Sequence, residues 1–264
     1  MTKETKAKRM SSLDLLLEEN ADKGNLNEVK NLVEKNAGNL DLALYRSAYN
    51  GHLDTVKYLI EQGADIHFFS DGALRSSADH GHLDVVKYLV EKGANIHANS
   101  EVALQWSAER GHLDVVKFLV EKGADIHACN ECAFRLSAGR GYLDVVKYLV
   151  EKGANIHVNF ESEFQVCAYY GHFDIVKFLV EKGADIHARS ERALRYAAEN
   201  DHRDVVKFLM EKGADIHALS KDELEYISRK NKRWRLLYHG PFENVKEKSY
   251  SDDWICRYFM RGKW

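Results

Sequence analysis

The sequence predicts an all-α solenoid of stacked helix-turn-helix units, and three observations carry that prediction. First, one phrase recurs six times: Gly-His-Leu-Asp or a close variant, then Val-Val-Lys-Tyr/Phe-Leu-Val, then Glu-Lys-Gly-Ala-Asp/Asn-Ile-His. Second, the copies keep a fixed step. Gly51, Gly81, Gly111, Gly141, Gly171 and Asp201 stand 30 residues apart, and so do His67, His97, His127, His157, His187 and His217. Third, every copy reads as two short helices separated by a glycine break. A period of about 20–50 residues marks one supersecondary unit that buries its apolar face only against its neighbours. Such a chain is built as a binding scaffold.

Within residues 98–127 each element follows from residue type. Ser100 followed by Glu101 predicts a helix start, the hydroxyl accepting an orphan amide and the acid facing the positive helix end. Ser70, Ser190, Ser220 and Asn130 hold the same place in other copies. The helix is expected to run to about Arg110, with Ala103, Leu104, Ser107 and Ala108 as its small, close-packing side. Gly111-His112 breaks it and Leu113 opens the second helix. There Leu113, Val115, Val116, Phe118, Leu119 and Val120 cover more than one stripe, so burial on most sides is expected. Asp114, Lys117 and Glu121 mark the remaining wet face. Gly123 is placed for a left-handed C-terminal cap, and Ala124 to His127 reads as a short extended link.

Helix, turn, helix, glycine cap and link together resemble an ankyrin repeat. The match lies in AAENDHRDVVKFLMEKGADIHA (197–218) and its sister copies, and it covers roughly residues 13–230. Two departures stand out. The family's usual period is about 33 residues, and its helix-opening Thr-Pro-Leu-His is replaced by versions such as Glu191-Arg192-Ala193-Leu194-Arg195. The missing residues belong to the β-hairpin that projects from each repeat in that family, so shortened or absent hairpins are expected. This compact form, with nearly identical second helices, is similar to the ankyrin arrays of giant amoeba-infecting DNA viruses. That resemblance implies a host protein as partner and the host cytoplasm as location.

The repeat fades at both ends, as capping units must. A first copy shows as Leu16-Leu17, Ala21, Gly24-Asn25-Leu26, Val29 and Leu32-Val33, with Gly24 only 27 residues before Gly51. Glu223 to Ile227 repeats the first helix with more charge, and Arg233 to Leu237 stands in for the second. The expected organisation is therefore a flexible basic N-terminus (1–12), an array of about seven repeats with a C-terminal cap (13–240), and a tail (241–264). In the tail Trp254, Ile255, Tyr258 and Phe259 share one face of a possible helix. It reads as an extra cap or as a docking helix that would make the protein an adaptor. Deleting 241–264 separates those readings. Viral ankyrin proteins of the pox type end in an F-box-like Leu-Pro-x-Glu segment, and nothing here reads that way.

The formal charge of the chain is −3. Residues 1–10 carry +3 and residues 219–264 carry +4, with eleven Lys/Arg against seven Asp/Glu, which leaves about −10 on the repeat body. That charge argues against a nucleic-acid partner. No signal peptide and no membrane-spanning run is read, and the four scattered cysteines do not form a disulfide framework. A cytoplasmic monomer is expected. Eleven of the thirteen histidines are repeat consensus and are expected to do one structural job, a hydrogen bond at a turn. Cys129 and Cys132 give half of a zinc site by spacing and lack a second half, so no metal or cofactor is expected. No phosphate loop, G-x-S-x-G or HExxH motif appears, and no catalytic residue is assigned.

The candidate binding residues follow the alanine pair that ends each first helix: Tyr49-Asn50, Asp79-His80, Glu109-Arg110, Gly139-Arg140, Tyr169-Tyr170 and Glu199-Asn200. They vary between copies while the second helices do not, and in an ankyrin stack they face the inner, concave side. Tyr49, Glu109, Arg110, Arg140, Phe160, Tyr169, Tyr170 and Glu199 are the predicted partner-binding set. The densest patch is expected around Tyr169, Tyr170, Phe160 and Arg140, because interface hot spots favour aromatics and Arg.

Overall fold

The computed structural model describes residues 12–159 and 161–215. They form α1 (Ser12–Asp22), α2 (Leu26–Glu34), α3 (Leu40–Tyr49), α4 (Leu53–Glu61), α5 (Phe68–Asp79), α6 (Leu83–Glu91) and α7 (Ala98–Glu109). The remainder are α8 (Leu113–Glu121), α9 (Ala128–Arg140), α10 (Leu143–Glu151), α11 (Ser162–Tyr170), α12 (Phe173–Glu181), α13 (Ala188–Glu199) and α14 (Arg203–Glu211). The array is all-α, and no strand or hairpin finger occurs among the described residues.

Internal contacts divide the chain into two units, residues 1–136 and 137–264, with the division inside α9. In the first unit α1, α3, α5 and α7 pack in succession as one layer, and α2, α4, α6 and α8 as another. Each odd helix also packs on the even helix that follows it. The second unit repeats the scheme with α11 beside α13, and α10, α12 and α14 in succession. Small residues make the odd layer possible: Ser47-Ala48, Ser77-Ala78 and Ser107-Ala108 are fully buried, as are Cys167-Ala168 and Ala197-Ala198. In the even layer the buried stripe is Val56 and Leu59, then Val86 and Leu89, then Val116 and Leu119, with counterparts in the second unit.

The even helices are less enclosed than the sequence suggests. Leu113, Phe118 and Val120 are only half-buried, because a helix packed by two neighbours and its own partner keeps a fourth side open. Lysine stems partly cover that side: Lys122 Nζ lies 5.6 Å from the centre of the Phe118 ring, and Lys92 Nζ 5.5 Å from that of Tyr88.

The helix start also differs from expectation. Phe69–Asp71, Asn99–Glu101, Cys129–Glu131 and Arg189–Glu191 each place three consecutive residues in the left-handed region, with φ between 51 and 68°. Asn159 and Glu161 share that conformation. The link is therefore a single left-handed turn rather than an extended strand, and right-handed helix begins one residue after the acid. No hydroxyl caps α5, α7 or α13. Left-handed L-residues cost about 1–2 kcal/mol each, so something must hold the turn. The acid does. Glu101 is buried, and its Oε1 accepts a hydrogen bond from His97 Nδ1 at 2.5 Å. His67–Asp71, His127–Glu131, His157–Glu161 and His187–Glu191 repeat the pair at 2.5–3.0 Å. Side chains further along α5 and α7 satisfy the turn carbonyls: Arg75 Nε donates to Ser70 O at 3.0 Å, and Gln105 Nε2 to Ser100 O at 2.6 Å. The residue two before each closing histidine alternates between Asp and Asn because only its Oδ1 is used. In all five described links it accepts the histidine backbone N–H at 2.9 Å.

Candidate functional site

The variable positions at the ends of the odd helices rest on a repeated joint. His52 Nε2 lies 2.8 Å from Asp22 O, His82 3.0 Å from Tyr49 O and His112 2.9 Å from Asp79 O. In the second unit His172 lies 3.0 Å from Gly139 O and His202 2.9 Å from Tyr169 O. A carbonyl can only accept, so each Nε2 carries a proton and donates it. Burial pushes the His82 imidazolium toward losing its proton, lowering its pKa. The glycine two residues after each pinned carbonyl is needed for this approach. A Cβ on Gly81, which has φ +74°, would lie 2.6 Å from the His112 ring. The histidines therefore do two jobs rather than one: the set opening the second helix bridges repeats, and the closing set fixes the left-handed turn.

The bridge bears directly on binding. The pinned carbonyls belong to the display residues themselves, including Tyr49, Asp79 and Tyr169. Their backbone is fixed from the neighbouring repeat, so their side chains are free to differ without loosening the helix end.

In the second unit Tyr169 and Tyr170 are 39% and 58% exposed, with ring centroids 5.0 Å apart and edge to face. Tyr196, half-buried, meets the other side of Tyr169 at 5.6 Å, and the Arg195 guanidinium lies 5.4 Å from the centre of the Tyr196 ring. Arg140 is exposed, and Glu199 is half-buried with Arg195 Nε 3.9 Å from its carboxylate. Phe160 lies outside the described residues. Tyr49, Glu109 and Arg110 belong to the first unit. There Tyr49 faces the His80 ring at 4.1 Å, and Arg110 Nε donates to Asp79 Oδ1 at 3.1 Å. Trp106 is exposed with the Arg75 guanidinium 5.6 Å from its ring centre.

Sequence reasoning missed the buried acids. Asp71, Glu101, Glu131, Glu161 and Glu191 recur at every step, each four residues after a closing histidine. That spacing was the available signal. Cys129 is exposed, Cys132 half-buried and Cys167 buried, its thiol pushed far up by desolvation. Cys256 is outside the described residues. Among the described residues no three His, Cys, Asp or Glu side chains come together as metal ligands, and no helix is long and apolar enough to cross a membrane.

The family model for Ankyrin repeats (3 copies) matches residues 17–100, 78–160 and 161–220. No curated protein matches the chain. Repeats of this kind are generally protein–protein interaction modules and typically non-enzymatic. The matched span takes in the helices, the buried small residues and the histidine bridges described above, and the chain belongs to the ankyrin-repeat family.

Proposed function

We propose that this protein is a non-enzymatic recognition module that binds a partner protein on the ends of its first helices. The proposed contact residues are Tyr169 and Tyr170 with Arg140, Phe160 and Glu199, and, on the first unit, Tyr49, Glu109 and Arg110. The observation that carries the reading is the pair Tyr169–Tyr170. Both rings are exposed, yet the backbone beneath them is held by His202. Rigid aromatic side chains on a fixed support lose little conformational freedom on binding. The protein acts as a monomer in the cytoplasm, on a host protein where the viral resemblance applies. Its acidic body disfavours nucleic acid.

Affinity capture from the source cell, with quantitative mass spectrometry, tests this reading. Tyr169→Ala/Tyr170→Ala is expected to lose the main captured protein, since hot-spot truncations cost about 2 kcal/mol or more. The far-UV spectrum and melting temperature should stay as in the parent. Unchanged capture, or an unfolded variant, overturns the assignment.

A further inference from the structure

The link from α8 to α9 differs from the others in carrying two thiols. Cys129 opens its left-handed triplet and Cys132 follows the triplet, with Asn130 and Glu131 between them. The equivalent pairs are Phe69 and Gly72, Asn99 and Val102, Asn159 and Ser162, and Arg189 and Arg192. Spacing alone reads the two cysteines as half of a zinc site, and among the described residues no third ligand joins them. The turn gives them a different chemistry.

Asn130 (φ 61°, ψ 60°) and Glu131 (φ 62°, ψ 33°) are the central residues of a four-residue turn with positive φ at both. Such turns bring the first and fourth Cα within about 7 Å, and a disulfide spans Cα separations of about 4.4–6.8 Å. The equivalent turn reports how closely the Cβ atoms approach. Phe69–Asp71 has nearly the same backbone, with φ 52–57° against 51–62° in Cys129–Glu131. A Cβ built on Gly72 would lie 3.1 Å from the Phe69 Cβ. Disulfide-bonded cysteines hold their Cβ atoms about 3.5–4.5 Å apart. The turn therefore brings positions 129 and 132 within disulfide reach, and a slight opening gives the separation that the bond needs.

Exposure sets the order of events. Cys129 is exposed, with Sγ 4.0 Å from Ser100 O of the preceding link, and Cys132 is half-buried. Cys129 thus meets a soluble reagent first. Cys167 takes no part, because it is buried and desolvation pushes its thiol far up.

We propose that Cys129 and Cys132 form a reversible oxidation site, closed to an intramolecular disulfide by a small soluble disulfide of the oxidised-glutathione class. The Cys129 thiolate attacks one glutathione sulfur, breaks that S–S bond and releases a glutathione thiolate, which takes up the proton that Cys129 lost. Cys132 then loses its proton to solvent, and its thiolate attacks Cys129 Sγ in the mixed disulfide. The second glutathione leaves as a thiolate and is reprotonated. Two protein thiols are oxidised, and one disulfide is reduced to two thiols. Because the folded turn already holds the pair together, the second attack has a high effective concentration, and the mixed disulfide does not persist. Closure cross-links this link alone and withdraws the Cys129 thiol from a surface position where other copies expose Phe69 or Arg189.

The test equilibrates the full-length protein with mixtures of oxidised and reduced glutathione, quenches with acid, alkylates with iodoacetamide and digests with trypsin. Cleavage after Lys122 and Arg135 leaves both cysteines on one peptide, residues 123–135. In the parent this peptide is expected to lose both alkylation sites together, become lighter than the dithiol by two hydrogens, and revert when reduced glutathione is restored. Cys132→Ser copies Ser162 of the next repeat, so the turn accepts it, and it should retain one glutathione on Cys129. Unfolding the parent in urea should raise the oxidised glutathione needed for half-closure at least about tenfold, because the preformed turn is lost. A parent that keeps glutathione on Cys129 while Cys132 is still alkylated overturns the proposal. So does a peptide that stays a dithiol at every ratio, a disulfide made to Cys256 or to a second chain, or closure that is as easy in urea.

Discussion

The link from α2 to α3 and the link from α4 to α5 join equivalent helices within the first unit, and they differ by three residues. From Ala37 to Asp41 the chain takes four steps; from Ala64 to Asp71 it takes seven. The short link has no histidine and no left-handed triplet. Both links nevertheless end in an aspartate that accepts the backbone N–H of the next link: Asp41 from Asp65 at 2.7 Å, and Asp71 from Asn95 at 2.8 Å. Asp14 does the same for Gly38 at 2.7 Å. Tying one link to the next is thus independent of the turn. The histidine partner and the carbonyl cap arrive only with the turn, and Tyr45 stands where Arg75 and Gln105 cap it. From the fourth copy onward the acid is glutamate. In Glu101, Glu131, Glu161 and Glu191 one oxygen takes the histidine and Oε2 is buried without a hydrogen-bond partner.

This contrast makes graded predictions. The largest effect is expected from Asp71→Ala, which removes both the His67 pair and the Asn95 bond. Two hydrogen bonds to a charged group give a loss of about 3 kcal/mol in urea unfolding. Asp41→Ala removes one such bond and should lose about half as much. Equal losses would break the comparison. Next comes Glu101→Asp, which shortens the side chain to the length that reaches the following link in the earlier copies. A gain of about 1 kcal/mol is expected if Asp125 N–H is captured. A loss of stability would mean that the longer side chain is required by its turn.

Smaller effects separate the turn residues themselves. Phe69→Asn should stabilise and Asn99→Phe destabilise, each by about 1 kcal/mol, because asparagine tolerates the left-handed region and a bulky ring does not. Matching signs in the two melts would remove strain from the account of Phe69. The smallest effect is that of pH. The hydrogen bonds that His127 and His187 donate to Glu131 and Glu191 raise the histidine pKa values above the ordinary 6.5. Their stabilisation is complete below that value and is lost as pH rises through the raised pKa. His82, lowered by burial, acts in the opposite sense and loses stability as pH falls from 6.5 toward its lowered value. Melting temperatures of His127→Gln/His187→Gln across this range should decline less on the alkaline side than those of the parent. An identical decline would remove the paired histidines from the pH response.

The helices were legible in the sequence because a 30-residue period repeats their apolar pattern six times, and Gly111 and Gly123 fall where φ is positive. The joints were not, because their partners lie in different copies. Nothing within one repeat tells that His112 reaches back to Asp79 O, 33 residues earlier. The left-handed turn was hidden for another reason. Ser100-Glu101 carries the chemistry of an ordinary helix cap, and only burial of the acid against His97 selects the other geometry. The display positions were legible as variable residues, but which of their rings touch was not. Ring ladders depend on side chains from separate helices, such as Tyr45 and Phe69.

The glycine–histidine joint has a consequence for how such a gene can grow. Each joint places its glycine in one copy and its histidine in the next, so any in-phase block of 30 codons brings one of each. Duplication or loss of whole blocks by unequal recombination leaves every joint matched, and the array can change length without passing through a misfit intermediate. In the sequence Tyr142 holds the histidine position that follows Gly111, and the other departure is Asp201. It holds the glycine position with φ 60°, and the residue 31 places on, where the next histidine would fall, is Lys232. A consensus copy grafted after it would drive an imidazole into the aspartate side chain. Grafting a consensus copy after residue 201 is therefore expected to require Asp201→Gly as well.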